Sequence, residues 1–202
     1  SVRHVEVFRM RSVGTLIFER PRPLSRQRRA NHLYTLICEE PVTLGVHSIP
    51  NTDSVRLDVG FGGTAGLSAS NRFRPTNVGF GVAYALPIVI ACLTAQPGSL
   101  LAIENPEAHL HPRGQSKLAE LCGATAADGV QLLVESHSDH FLNGLRLAVK
   151  QIEDLKIQVY YFDPSISDGY MAIDVDNRGM LSDWPAGFFD EATRLLSQIV
   201  RP

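Results

Sequence analysis

The sequence predicts an α/β fold: a mostly parallel sheet flanked by helices. Two segments, Leu100–Pro112 (LLAIENPEAHLHP) and Val134–Asn143 (VESHSDHFLN), are short apolar runs that end abruptly in carboxylates, histidines and small polar residues. Runs of that length suit buried parallel strands, and in such folds ligands bind beyond the carboxyl ends of the strands. From residue 100 to residue 162, strand, helix, strand, helix and strand follow one another at the spacing of crossover connections. The 202 residues are 44% hydrophobic and 20% charged, the composition of a globular domain with a substantial core.

Residues 1–20 alternate loosely at Val5, Val7, Val13 and Leu16–Phe18, enough for one or two strands. Arg20–Arg29 is rich in Pro and Arg and reads as an exposed loop, and Leu33–Cys38 is a short apolar segment of ambiguous type. Val42–Val46 and Val55–Phe61 are predicted strands. Gly60–Gly66 (GFGGTAG) opens a polar loop that runs to Pro75. Asn77 then offers a side-chain cap for an apolar helix from Val78 to Thr94, kept slim at its start by Gly79, Gly81 and Ala83 and broken by Pro97-Gly98. Leu100–Glu104 is predicted to be a fully buried strand. Arg113–Ala127 has helical spacing, Asp128-Gly129 turns the chain, and Val130–Glu135 is the next strand. Ser138 caps a helix to Glu153. Gln158–Phe162 and Met171–Val175 are further strands, Asp176–Gly179 is a turn, and an amphipathic helix spans Pro185–Val200.

Composition narrows the function classes. The net charge is −2, so no broad basic field awaits nucleic acid. Residues 1–31 hold eight arginines against Glu6 and Glu19, a local +6, which leaves −8 for the rest. Arg26, Arg28 and Arg29 form the densest basic cluster and read as a solvated loop, with phosphate contact as the alternative. Cys38, Cys92 and Cys122 have no CxxC spacing and read as small buried hydrophobes of a reducing, cytoplasmic protein. No apolar run is long enough to span a membrane. The chain opens without Met and is read as a truncated or cleaved product.

The chemistry concentrates in the two strand ends. Glu104 closes the first strand, where a carboxylate can hold Mg²⁺ directly or through water. Asn105, Pro106 and Glu107 follow, then His109 and His111 ahead of Pro112. The second strand delivers His137, Asp139 and His140. Read as a metal site, Glu104, His109, His111, His137, Asp139 and His140 offer zinc ligands, but their spacing matches no closed zinc motif and HExxH is absent.

The order of these pieces resembles ATP-binding-cassette-type ATPases, in particular the AAA-labelled branch related to SMC and OLD-nuclease proteins. Residues 100–112 resemble a Walker B strand and the turn toward the D-loop, with Glu104 where Asp is usual and Asn105 where the catalytic Glu is usual. His137 resembles the switch histidine, and RPTNVGFGVAYALP at 74–87 resembles the signature helix. Residues 70–202, with the tail DNRGMLSDWPAGFFDE, resemble a bacterial subgroup of AAA-family ATPases that carries a short C-terminal domain of unknown function.

The resemblance implies a P-loop NTPase-like C-terminal lobe. It places an N-terminal remnant at 1–72, the lobe at 73–162 and a small C-terminal domain at 163–202. It implies ATP and Mg²⁺ as cofactors, Glu104 on the metal, and Glu104, Asn105 and His137 as catalytic residues. Nucleotide contacts fall to Asn77, Gly79, Gly81, Glu107 and His109. It further implies a nucleotide-dependent homodimer acting as a switch, with DNA or an effector protein as possible target in DNA transactions or phage defence, and no membrane. Trp184, Phe188 and Phe189 are expected to anchor the final helix. The phosphate loop, GxxxxGK[ST], is missing: Lys117, Lys150 and Lys156 are followed by Leu118, Gln151 and Ile157. Hydrolysis is therefore expected only when a Walker A half complements this chain. The alternatives are a nucleotide-independent interaction module and, behind it, a metal-dependent hydrolase.

Overall fold

A computed structural model of the protein describes residues 6–10, 42–61 and 72–200. Among the described residues there are eight strands: β1 (Glu6–Met10), β2 (Val42–Ser48), β3 (Val55–Phe61), β4 (Arg72–Phe73), β5 (Leu100–Glu104), β6 (Gln131–Glu135), β7 (Gln158–Phe162) and β8 (Tyr170–Asp174). Four helices accompany them: α1 (Phe80–Thr94), α2 (Pro112–Ala127), α3 (Asp139–Gln151) and α4 (Glu191–Val200). The expectations for Arg20–Arg29, Leu33–Cys38 and most of Gly60–Gly66 lie outside the described residues.

The main sheet has the order β5-β6-β1-β7-β8. β5, β6, β1 and β7 run parallel, and β8 is antiparallel to β7. The α/β class with a mostly parallel sheet is thus what the structure shows. β2, β3 and β4 form a separate antiparallel sheet. There, Asp58 is buried between His47 (Nε2–Oδ2 2.7 Å) and Arg72 (Nη1–Oδ1 2.6 Å). Burial works against its charge, but the Arg72 and His47 contacts prevail and hold its carboxyl below the ordinary value. Gly45 faces Asp58 across the ladder because a Cβ there would sit 2.2 Å from both the Asp58 carboxylate and the Arg72 guanidinium.

The two crossover helices follow from local sequence. Pro112 starts α2 at a position where its missing N–H costs nothing, with His111 Nδ1 accepting from Arg113 N–H. Ser138 caps α3 by accepting from Phe141 N–H at 3.0 Å. α2 and α3 press together at Gly144, where a Cβ would lie 2.5 Å from the Ser116 carbonyl oxygen. Leu118, Leu132, Val134, Phe141, Leu145, Val159 and Ile173 fill the core between these helices and the sheet.

Several expectations need correction. Leu100–Glu104 is not fully buried: among the described residues β5 is an edge strand, Leu100 is 57% exposed and only Ile103 of the strand is buried. Asn77 does not cap α1. Pro75 initiates a 3-10 turn through Asn77, closed by Asn77 N–H on the Arg74 carbonyl, and Val78 and Gly79 are extended, so the helix begins at Phe80 with Gly79 at its cap. The last helix starts at Glu191 rather than Pro185, because Gly187 (φ 83°) and Phe189 (φ 53°) are left-handed and break helical geometry. Phe188 is fully buried against Tyr161, Trp184 and Phe189, but this cluster anchors the 184–189 turn: α4 buries none of its own residues.

Candidate functional site

The strand ends that drew attention in sequence lie side by side. In the β5–β6 register Ala102 pairs with Leu133, Ile103 with Val134 and Glu104 with Glu135. In-register residues of adjacent strands project from the same face, so both carboxylates leave the sheet together. The Asn105 N–H extends the ladder by donating to the Glu135 carbonyl at 3.0 Å. Beyond it the chain turns sharply: Asn105 has φ 44° and His109 φ 62°, with Ala108 N–H on the Asn105 carbonyl and Leu110 N–H on the Glu107 carbonyl.

Glu107 ties this turn to the loop after β6. One carboxylate oxygen accepts from Ser136 Oγ at 2.8 Å and the other from the His137 N–H at 2.6 Å. Gln115 of α2 adds a second tie, accepting from Ser138 Oγ at 2.5 Å while donating to the Leu110 carbonyl at 2.8 Å. A third runs from Ser116 Oγ to the His140 carbonyl at 3.1 Å. His137 itself is exposed, its Nε2 3.8 Å from Glu135 Oε1. Burial pushes the Glu135 carboxyl up, and the charges of Glu104 and Glu107 add to this against the opposing pull of His137.

The N-terminal end of α1 meets the same turn. A Cβ at Gly81 would lie 2.6 Å from the His109 carbonyl oxygen, so only glycine allows this approach. The His109 ring lies 5.5 Å from Phe80 and 5.6 Å from Tyr84. Tyr84 Oη donates to the Glu104 carbonyl at 3.4 Å. Of the residues singled out in sequence, Glu104, Asn105, Glu107 and His137 thus converge on one sheet edge, and Gly81 and His109 touch each other beside it. Gly79, at the helix cap, has open space where a Cβ would go, so no close approach explains it. Asn77 lies in the preceding 3-10 turn, exposed.

The zinc alternative fails geometrically: among the described residues no group of three or more His, Cys, Asp or Glu is placed to hold a metal ion. His111 serves as the cap of α2, and His140 lies 3.8 Å from Asp139 Oδ1 as its ion-pair neighbour. Sequence reasoning missed Glu135, Gln115 and Tyr84 as members of the site. Glu135 had a readable signal, since it ends its strand as Glu104 ends the one before. Gln115 and Tyr84 enter through packing alone. Elsewhere, a cavity of about 760 Å³ opens at the other end of the sheet, near Ile152, Asp154, Lys156 and Asp176, away from these residues.

Residues 22–143, more than half of the chain, match the profile of the family described as "AAA domain, putative AbiEii toxin, Type IV TA system". Residues 152–199 match DUF3696, a protein family of unknown function. No curated protein matches. One similar solved chain comes from work on the structural biochemistry of ATP-driven dimerization and DNA stimulated activation of SMC ATPases; it is 12% identical, with 88% of this chain and 92% of that chain covered and a TM-score of 0.47.

Proposed function

Because the chain belongs to this AAA-domain family, we propose that its sheet edge is the Walker B and histidine-switch half of an ABC-type ATP-hydrolysing centre. The observation that carries the reading is the pairing of Glu104 with Glu135 at the ends of adjacent parallel strands, with Glu107 clamping the His137 loop beside them. Carboxylates in this position fit Mg²⁺, which takes one or two of them and fills its other sites with water and phosphate oxygens. Glu104 is the ligand in this reading. His137, exposed at the mouth of the edge, is in this reading the donor to a γ-phosphate, a role that is geometric and electrostatic.

The triphosphate fits less completely. Its usual cradle of backbone amides and a lysine is GxxxxGK[ST], and these 202 residues contain no such sequence. ATP is therefore held here only with a phosphate loop from outside this stretch of chain. In that context Gly79 and Gly81 at the N-terminal end of α1 contribute backbone N–H groups to nucleotide carried by a second copy, the exposed side chain of Asn77 in the preceding turn adds a polar contact, and the His109 turn crosses the same interface. The assembly is a nucleotide-dependent homodimer in the cytoplasm, with DNA or an effector protein as its target.

Two measurements test this. The isolated chain should bind MgATP weakly or not at all, and tight Mg²⁺-dependent binding would refute the division of labour. In the complete ATP-binding protein, Glu104→Gln should lower turnover more than Asn105→Ala; equal turnover in both variants and the parent would defeat the assignment. A second reading, a nucleotide-independent interaction module, draws on α4. Leu195, Leu196, Ile199 and Val200 expose an apolar stripe on that helix. A complete protein that dimerises identically with and without MgATP would favour it.

A further inference from the structure

We propose that Glu135 accepts the proton of the attacking water, taking the role that Asn105 cannot fill. The inference rests on the ATPase reading above and names a residue within that site. An amide takes no proton from water at neutral pH, so Asn105 leaves the usual base position without a base. Three carboxylates gather at these strand ends. Glu107 has both oxygens committed, to the Ser136 hydroxyl and the His137 amide. Glu104, exposed at the end of β5, would hold the cation in that reading, and the cation's charge would drain its basicity.

Glu135 differs from both. It stands one strand inward of Glu104, projects from the same face, and its side chain is only 12% exposed. Its backbone carbonyl accepts from the Asn105 backbone N–H at 3.0 Å, so the two residues are joined directly at the strand ends. Its Oε1 lies 3.8 Å from His137 Nε2, beyond direct hydrogen bonding, so the oxygen is not spent on that ring. An acceptor beside a phosphate-facing imidazole is what an in-line attack needs. The water oxygen bonds to the γ-phosphorus as the bond to the β–γ bridging oxygen breaks, the bond pair leaves with ADP, and the water proton moves to Glu135. That proton then passes to the released phosphate or to solvent.

The test uses the complete ATP-binding protein and three variants, Glu135→Gln, Asn105→Glu and the double substitution, each measured for single-turnover MgATP hydrolysis, affinity for a non-hydrolysable MgATP analogue, and melting temperature. Loss of a positioned base predicts a fall of about 10²-fold or more for Glu135→Gln, with analogue affinity within about threefold of the parent. Asn105→Glu added to Glu135→Gln should recover at least about tenfold of the lost rate, because it returns a carboxylate to the usual position. A merely structural Glu135 would not be rescued from residue 105. Glu135→Gln turning over like the parent overturns the inference alone, as does loss of turnover without rescue. A parent that neither binds nor hydrolyses MgATP overturns the ATPase reading itself.

Discussion

Glu107 is the hinge pin of the site, and its removal can be worked through quantitatively. Glu107→Ala deletes the acceptor for the Ser136 hydroxyl and for the His137 N–H. Ser136 is 4% exposed, so its donor is left without a partner and without ready access to water. A buried donor stranded in this way costs about 1–3 kcal/mol. His137 is exposed and its amide can turn to water, so it adds less. The expected loss is about 2–3 kcal/mol, which for a domain of this size lowers Tm by roughly 4–10 °C. Ser136→Ala removes the same bond from the other side and also strands the Ser138 N–H, which donates to Ser136 Oγ at 3.2 Å. Urea unfolding of the parent, both single variants and the double variant closes a double-mutant cycle. A coupling of about 1–2 kcal/mol is expected between the pair. Additivity within about 0.3 kcal/mol would show that the carboxylate does not hold the two loops together, and the reasoning would fall.

Three further outcomes are expected. Gly144→Ala drives a Cβ into the Ser116 backbone of α2, so α2 and α3 must separate, and denaturant titration should register a loss of about 1–3 kcal/mol. Deleting residues 191–202 should leave Tm nearly unchanged, since α4 buries none of its residues; a drop of about 5 °C or more would mean that the helix is held. Glu135→Gln should stabilise the fold in a pH-dependent way. The folded protein keeps a proton on this raised carboxyl after the unfolded chain has lost it, so stability declines as pH rises from the ordinary 4.5 through the raised value. The variant lacks that decline, and its Tm advantage should be present near about pH 8 and absent near about pH 4.

The strands and helices between residues 100 and 162 were legible because each carries its own punctuation. Apolar runs stop at Glu104 and Glu135, Pro112 opens one helix, and Ser138 caps the next. His137 and Glu107 were legible for the same reason, as polar residues placed immediately after an apolar run. What escaped depended on distance along the chain. Leu100–Glu104 has the composition of a buried strand, and nothing local marks it as an edge. Asn77 has the right side chain for a cap, but Pro75 two residues earlier already commits the backbone to a tighter turn. Glu135 was readable as a strand end, but its pairing with Glu104 depends on the sheet register, which no local pattern encodes.

The position of β1 has a consequence for how the molecule assembles. Its neighbours in the sheet are remote in sequence: Glu6 pairs with Leu133, 127 residues on, and with Gln158, 152 residues on. The strand made before both of these neighbours is thus the one that sits between them, and its pairing with β6 and β7 waits until more than a hundred further residues have been synthesised. Such closure carries a large entropic cost before any contact rewards it, so folding should be slow, with a gap between β6 and β7 open until the end. During that interval the unfilled gap can accept any extended segment of suitable pattern, from the same chain or another. Early capture of Glu6–Met10 by its proper neighbours is what separates productive folding of this protein from mispairing.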